Sequence, residues 1–306
     1  MAVTKVTKIK RPTLDELDVS PGKRTRLRRL LYQYGPANGT LMFLPIDQGL
    51  EHGPRDFFPN PPSADPIFQL ELAKRGRYSG IVFHIGLAKK YMKDYAGQVP
   101  LVLKVNGKTE IPPDDEAFSP QTASVEDAVR LGADAVGYTL YVGSPRQDDD
   151  FLQLMDVREE CERFGMPLII WSYPRGAAVD KKGGRDSLYA IDYAARTACE
   201  LGADLVKLNM PTINPAKDAA APKPYSELQV TEEEAVRRVV KSAGRTMVII
   251  SGGGKMGDES LLNKARLVMA NGATGLIFGR NMWQRPMEEA LAMTAKVREM
   301  LKEFRG

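Results

Sequence analysis

The chain has 306 residues, of which 43% are hydrophobic and 27% are charged, a composition typical of a soluble globular protein. The net charge of +4 is too small to indicate nucleic-acid binding by itself, and no run of about 18 apolar residues predicts a membrane span. Residues 1–12 lack the apolar stretch of a signal peptide, so we expect a cytoplasmic protein with no membrane partner.

Residues 1–39 are predicted to form a basic N-terminal extension without a regular apolar pattern. Five basic residues precede the apolar residues Leu30 and Leu31, namely Lys23, Arg24, Arg26, Arg28 and Arg29. A basic helix of this kind can touch nucleic acid or a membrane, but packing on the rest of the protein or on a neighbouring subunit is favoured. We therefore divide the chain into an extension of 1–39 and a catalytic domain of 40–306.

From residue 40 onward, short apolar runs alternate with helical patterns, and each run predicts a fully buried parallel strand. The eight runs are 41–46, 80–84, 101–105, 135–140, 168–173, 205–208, 247–250 and 275–278. Predicted helices cover 125–131, 192–201, 231–242, 261–270 and 286–304. Ser124 and Thr231 are expected as N-caps, because an acidic residue follows each of them three positions later.

An internal repeat supports this alternation. Residues 128–136 read AVRLGADAV, residues 198–206 read ACELGADLV and residues 268–276 read VMANGATGL. Each copy is a helix end, a glycine cap, a short turn and a strand. Eight such units predict a parallel sheet closed as a single-domain (β/α)8 TIM barrel. An open doubly wound sheet is the alternative, disfavoured because no GxGxxG follows the first strand.

The longest irregular segments are 51–66, 108–122, 175–187 and 211–229, which follow the first, third, fifth and sixth strands. In a barrel these loops share the rim at the carboxyl ends of the strands, where active sites lie. Elaborated loops on one rim indicate a substrate pocket with a lid.

Two lysines lie within apolar strands. Lys207 is in ADLVKLNMP and Lys104 is in LVLKVNGK. Burial and nearby positive charge lower the pKa of a lysine, and a neutral amine can attack a ketone to form an iminium ion. Strand context alone does not decide between such a nucleophile and an ion-paired structural lysine. Lys104 is a competitor for the role, or instead supplies the charge that perturbs Lys207, or binds substrate.

The fifth strand ends in IIWSYPRG, and alternation places Trp171 and Tyr173 on one face. If that face is the barrel interior, Tyr173 presents a phenol that can serve as general acid and base, whereas core filling is the alternative. Asp47 follows the first strand, where barrels place polar catalytic groups, and a structural role in the next loop is its alternative.

Glycine-rich turns follow the seventh and eighth strands, as SGGGK at 251–255 and GRN at 279–281. Barrels commonly bind phosphate with these two loops, because glycines let backbone N–H groups approach the anion. Arg280 can add a bidentate contact. We therefore expect an anion site formed by Ser251, Gly252, Gly253, Gly279 and Arg280.

Zinc chemistry is not indicated. The chain has two histidines, His52 and His84, and two cysteines, Cys161 and Cys199, without HxxxH or CxxC spacing. Both cysteines fall in helical patterns and are predicted to be small core residues. We expect neither a metal nor a cofactor.

Several motifs together resemble the archaeal-type class I fructose-bisphosphate aldolases, namely PIDQGLEHGP, WSYPRG, DLVKLN, SGGGK and FGRN. The resemblance implies Lys207 as the Schiff-base lysine in place of Lys104, and Tyr173 as the proton donor and acceptor at the substrate C4 hydroxyl. It also implies that Asp47 assists carbinolamine formation and breakdown and that Trp171 lines the pocket. Many relatives have histidine where this chain has Gln48, so a proton relay at that position is not carried over.

The function that the resemblance implies is reversible cleavage of fructose 1,6-bisphosphate into dihydroxyacetone phosphate and glyceraldehyde 3-phosphate. It also implies a homo-oligomer, with the phosphorylated sugar as the partner of the site. The alternatives are a related Schiff-base barrel acting on another phosphorylated ketose, in autoinducer processing or aromatic precursor synthesis, and a barrel that binds phosphosugars without catalysis.

Overall fold

The computed structural model describes residues 10–305, so residues 1–9 of the predicted extension and Gly306 lie outside it. Eight parallel strands close into a barrel in chain order, with the last strand paired to the first. The strands are β1 Leu41–Pro45, β2 Gly80–His84, β3 Leu101–Lys104, β4 Ala135–Val142, β5 Leu168–Pro174, β6 Leu205–Leu208, β7 Met247–Ser251 and β8 Gly275–Ile277. The predicted single-domain (β/α)8 barrel is confirmed, and the open sheet is excluded.

Helices follow the strands as the alternation predicts. They are α1 Pro21–Arg28, α2 Gln48–Glu51, α3 Pro66–Gly76, α4 Ile85–Tyr91, α5 Val125–Arg130, α6 Gln147–Phe164, α7 Ala177–Asp180, α8 Leu188–Glu200, α9 Pro215–Asp218, α10 Glu232–Ser242, α11 Asp258–Ala270, α12 Arg280–Trp283 and α13 Met287–Lys302. Ser124 and Thr231 cap α5 and α10 in capping boxes, as expected. No helix within residues 10–305 is both long and apolar enough to cross a bilayer.

Side chains alternate between two layers along every strand. In β1, Leu41 and Phe43 point into the barrel with Trp171 and Ile249 of other strands, whereas Met42 and Leu44 pack outward against the helices. Period-two alternation in a strand produces this division. It also confirms that Trp171 and Tyr173 share the interior face.

The described part of the N-terminal extension covers the end of the barrel where the strands begin. Leu27, Leu30 and Leu31 are buried in one cluster with Leu41 and Leu205, the first residues of their strands. This end is opposite the rim at the carboxyl ends of the strands. The buried Lys23 of α1 adds ion pairs to Glu162 and, at 2.9 Å, to Asp204. Residues 10–39 therefore pack on the barrel itself.

Candidate active site

A cavity of about 480 Å³ opens at the carboxyl ends of the strands. Its volume lies within the range usual for small-molecule sites, roughly 300–1,000 Å³. The candidate catalytic and binding residues of the sequence that line it are Asp47, Trp171, Tyr173, Lys207, Ser251, Gly252, Gly253, Gly279 and Arg280. The fold thus gathers residues from five strand ends around one space, and Lys104 lies outside its lining.

Lys207 is directed to this cavity by its place on β6. It pairs in register with Trp171 of β5, so both side chains belong to the interior layer. Its amine is hydrogen-bonded to the Tyr173 hydroxyl and lies 4.1 Å from the centre of that ring. Burial lowers the pKa of Lys207 to about 7, and the charges of Lys104 and Arg175 act in the same direction, against Asp47 and Glu51. A large fraction of this amine is therefore neutral near pH 7.

Lys104 has the opposite environment, although it is also fully buried. Its ammonium donates hydrogen bonds to Glu51 at 2.8 Å and Asp47 at 3.1 Å, and it lies 4.7 Å from the centre of the Trp171 ring. Burial by itself acts to lower the pKa of Lys104, but the two carboxylates outweigh it and the pKa is raised. Lys104 therefore stays charged, and this charge faces Asp47 and Glu51.

Gly137 of β4 makes room for this arrangement. A Cβ atom at that position would lie 2.8 Å from the Trp171 ring and 3.1 Å from the Lys104 side chain. The approach to Trp171 is closer than real side-chain atoms come and the approach to Lys104 is tight, so a larger residue would displace the Trp171 ring.

Tyr173 and Asp47 differ in protonation. Burial, together with the charges of Glu51 and Asp47, raises the pKa of Tyr173 well above its usual range, so the phenol keeps its proton. Burial also acts to raise the pKa of Asp47, but the charge and hydrogen bond of Lys104, together with the charges of His84 and Lys207, outweigh it and lower that pKa. The site therefore contains a proton donor and an ionised carboxylate near one neutral amine.

The loops after β7 and β8 form one wall of the cavity. Gly253 has φ of +72°, a conformation that favours glycine, and a Cβ at Gly279 would lie 2.9 Å from the Gln48 side-chain nitrogen. The Ser251 hydroxyl donates to Asn209 at 2.8 Å. Arg280 lies 3.8 Å from Asp56. Small residues here let a ligand anion approach the backbone closely.

Three cations converge at the opposite wall, on loops that follow β3 and β5. Lys108, Arg175 and Arg185 lie 2.9, 3.0 and 3.2 Å from the carboxylate of Asp114. All four residues line the cavity. A carboxylate held by three cations marks a place where another anion can be bound, because one group can replace the other.

Sequence reasoning did not assign several residues of the site. Glu51 is the last residue of the short helix α2, and only the fold brings it to Lys104. Asn209 carried a usable signal, because it follows Lys207 by two positions and so shares its face. Lys264 lies on α11, and nothing in the sequence connects it with the cavity that it lines.

The two histidines and two cysteines have different surroundings. His52 contacts Asp56 at 2.9 Å, and the ring nitrogens of His84 are buried without a hydrogen-bond partner. Cys161 is buried and Cys199 is partly buried, and neither forms a disulfide. Across residues 10–305 no group of three or more histidine, cysteine, aspartate or glutamate side chains is arranged to hold a metal ion.

Comparisons with known proteins agree with this geometry. Residues 41–285 match the model of the DeoC/LacD family aldolases. The class 1 fructose-bisphosphate aldolase of Thermoproteus tenax is 40% identical over 264 residues, which are 86% of this chain and 90% of that protein.

Solved structures give the same result. An archaeal fructose-1,6-bisphosphate aldolase, whose catalytic lysine is covalently bound to the carbinolamine intermediate of the substrate, is 37% identical with a TM-score of 0.76. That match covers 90% of this chain and 99% of the other. The fructose-bisphosphate aldolase of Slackia heliotrinireducens is 27% identical, with a TM-score of 0.81 over 95% of this chain and 91% of its own.

Proposed function

The chain belongs to the DeoC/LacD family of aldolases, and from that premise we propose that it is a class I fructose-bisphosphate aldolase. The reaction is reversible cleavage of fructose 1,6-bisphosphate to dihydroxyacetone phosphate and glyceraldehyde 3-phosphate. The observation that carries the proposal is the buried Lys207, whose pKa of about 7 places a neutral amine in a cavity lined by anion-binding loops.

The first step is attack of the Lys207 amine on the C2 carbonyl. Asp47, ionised in the free protein, transfers a proton from the attacking nitrogen to the former carbonyl oxygen, which gives a neutral carbinolamine. The Tyr173 hydroxyl then donates its proton to that oxygen and water leaves. The product is an iminium cation on Lys207 beside a tyrosinate, and the two opposite charges stabilise each other.

The C3–C4 bond breaks in the second step. The tyrosinate takes the C4 hydroxyl proton, the bond electrons move to the iminium, and glyceraldehyde 3-phosphate leaves. The remaining enamine accepts a proton at C3 from Tyr173. Water then adds to the iminium, returning a proton to Tyr173, and the carbinolamine collapses to release dihydroxyacetone phosphate. All proton transfers use Tyr173 and Asp47, so this route requires no metal.

The two phosphates fit the two walls of the cavity. The loops with Ser251, Gly252, Gly253, Gly279 and Arg280 lie beyond β7 and β8, next to the strand of Lys207, and we assign the C1 phosphate to them. Lys108, Arg175 and Arg185 at the opposite wall then suit the phosphate on C6. Lys104 is outside the cavity lining, and we assign it the role of holding Asp47 and Glu51.

Borohydride trapping tests the proposal. Reduction in the presence of dihydroxyacetone phosphate should attach the ketone covalently to Lys207, as peptide mass spectrometry can show. The Lys104→Met variant should still be labelled, whereas the Lys207→Met variant should not. Label on another lysine, or none, would overturn the assignment. Cleavage of fructose 1,6-bisphosphate should also survive a metal chelator.

A comparison of substrates separates this function from the related barrel enzymes. Turnover of fructose 1,6-bisphosphate should exceed that of other phosphorylated ketoses. Binding of phosphosugars without turnover would favour a non-catalytic barrel. We also propose a homo-oligomer, which the mass of the purified protein in solution can test, and the cytoplasmic location stays a prediction of the sequence.

A further inference from the structure

The lysines and arginines that line the cavity are not equally neutralised. There are six, Lys108, Arg175, Arg185, Lys207, Lys264 and Arg280. Asp114 lies within about 4 Å of the first three, and Asp56 lies within the same distance of Arg280. Among residues 10–305, Lys207 and Lys264 have no carboxylate that close. Lys207 is accounted for as the imine-forming amine, which leaves Lys264 unexplained.

The position of Lys264 is beside the glycine loop after β7. It extends from α11, and its Nζ atom lies 3.9 Å from where a Cβ atom on Gly253 would be. Burial lowers the pKa of this half-buried amine, and the more distant charges of Glu232 and Asp186 oppose that effect without an ion pair. An anion placed in the loop would supply the missing negative charge.

The strand register connects this loop to the reacting amine. Lys207 of β6 pairs with Ile249 of β7, and Ser251 follows Ile249 by two positions on the same interior face. A group held by residues 251–253 therefore lies two residues along the strand direction from the level of Lys207, nearer the rim than the carbon bonded to that lysine. The phosphate on the carbon next to the carbonyl occupies that place in a bound ketose phosphate.

Arg280 lies at the same wall, but its charge is less available to a ligand phosphate than that of Lys264. Its guanidinium lies 3.8 Å from Asp56, which also contacts His52 at 2.9 Å. Part of its charge is therefore already directed to a carboxylate of the protein. We propose that Lys264 joins Arg280 in binding the phosphate next to the carbonyl, as the stronger of the two cations, and that it sets the preference for phosphorylated over unphosphorylated ketones. This inference rests on the proposed function, in which Lys207 bonds to that carbonyl.

The test compares dihydroxyacetone phosphate with dihydroxyacetone in borohydride trapping, with the labelled fraction measured by protein mass against ketone concentration. In Lys264→Met the half-saturating concentration of the phosphate should rise about 10- to 100-fold, the loss expected for a charge-assisted hydrogen bond. Dihydroxyacetone should label this variant as it labels the native protein. Lys264→Arg should recover most of the phosphate preference.

Lys296→Met is the matched control. Lys296 is an exposed residue of α13 outside the cavity, so its replacement removes the same charge. It should change the labelling by neither ketone. An unchanged preference for the phosphate in Lys264→Met would overturn the proposal, as would an equal loss for both ketones. If neither ketone labels the native protein, the proposed function fails. Calorimetric titration with inorganic phosphate then still tests Lys264, since its removal should weaken binding and equal binding would refute the site.

Discussion

The ammonium group of Lys104 donates a hydrogen bond to Glu51 at 2.8 Å, and this contact separates the chemistry of the two buried lysines. Glu51 and Asp47 hold Lys104 in its charged form. The charge of Lys104 adds to the effect of burial on the pKa of Lys207, whereas the charges of Asp47 and Glu51 oppose it. The barrel thus keeps one lysine protonated as a structural cation and leaves the other free to act as a nucleophile.

Replacement of Lys104 by methionine should move the pH dependence of imine formation. In the native protein, borohydride labelling should rise with pH as the amine of Lys207, with a pKa of about 7, loses its proton. Without Lys104 the unpaired carboxylates of Asp47 and Glu51 favour the ammonium form of Lys207. The rise should therefore shift toward alkaline pH, by about one pH unit or more.

A reciprocal variant distinguishes this effect from general damage. Glu51→Gln removes one of the two carboxylates that raise the pKa of Lys207, so its labelling profile should shift toward acid. Lys296→Met should leave the profile in place. Shifts of the same sign in the Lys104 and Glu51 variants would contradict the electrostatic account.

Lys207 should reduce the stability of the fold that contains it. Its pKa is about 7 in the folded state and 10.5 before burial, so folding at neutral pH must either remove a proton or bury a charge. This costs on the order of a few kcal/mol at pH 7. The variant Lys207→Met should therefore be inactive and more resistant to denaturant than the native protein.

The extra stability expected for Lys207→Met should depend on pH in one direction. The destabilisation by Lys207 is complete below the folded pKa of about 7 and decreases as pH rises toward 10.5, where the amine is neutral in both states. Urea denaturation at two pH values checks this. The excess stability of Lys207→Met should be larger near neutral pH than at high pH, and a constant or growing difference would contradict it.

Tyr173→Phe should separate imine formation from bond cleavage. Loss of a positioned general acid–base group typically lowers a rate by about 10²- to 10⁴-fold, so turnover of fructose 1,6-bisphosphate should fall by that order. Trapping of dihydroxyacetone phosphate on Lys207 should persist at a reduced rate. Tyr193→Phe alters an exposed tyrosine outside the cavity and should change neither measurement. A Tyr173 variant with native turnover would exclude the phenol as the proton carrier.

The strands and the glycine-rich loops after β7 and β8 could be predicted because both depend on the pattern of neighbouring residues in the sequence. Eight apolar runs mark the strands to within two residues, and the fold then places Ser251 and Gly279 on one rim. The sequence placed Cys161 in a helical pattern but did not give the bounds of helix α6, since its buried apolar residues are only Leu154, Val157 and Cys161 among many acidic residues. Its burial comes from the barrel surface rather than from its own composition.

The electrostatics of the site could not be predicted from local pattern. Lys104 and Lys207 occupy similar strand contexts, and they differ because Lys104 forms ion pairs with Asp47 and with Glu51 of the short helix α2. Lys264 reaches the cavity from helix α11, which places its amine beside Gly253. Contacts between residues so distant in the chain exist only once the barrel has closed.

The floor of the barrel offers a stability test that is independent of the chemistry. Leu30 is fully buried in the interior cluster beneath the strands, so Leu30→Ala should destabilise the protein by about 2–5 kcal/mol through lost burial and the cavity left behind. Leu152 is 63% exposed on α6, and Leu152→Ala should change stability by no more than about 0.5 kcal/mol. Urea denaturation measures both. At temperatures where the Leu30 variant is folded, its aldolase turnover should match the native protein, because Leu30 lies at the opposite end from Lys207. A loss of stability no larger than that of Leu152→Ala would show that residues 10–39 do not support the barrel.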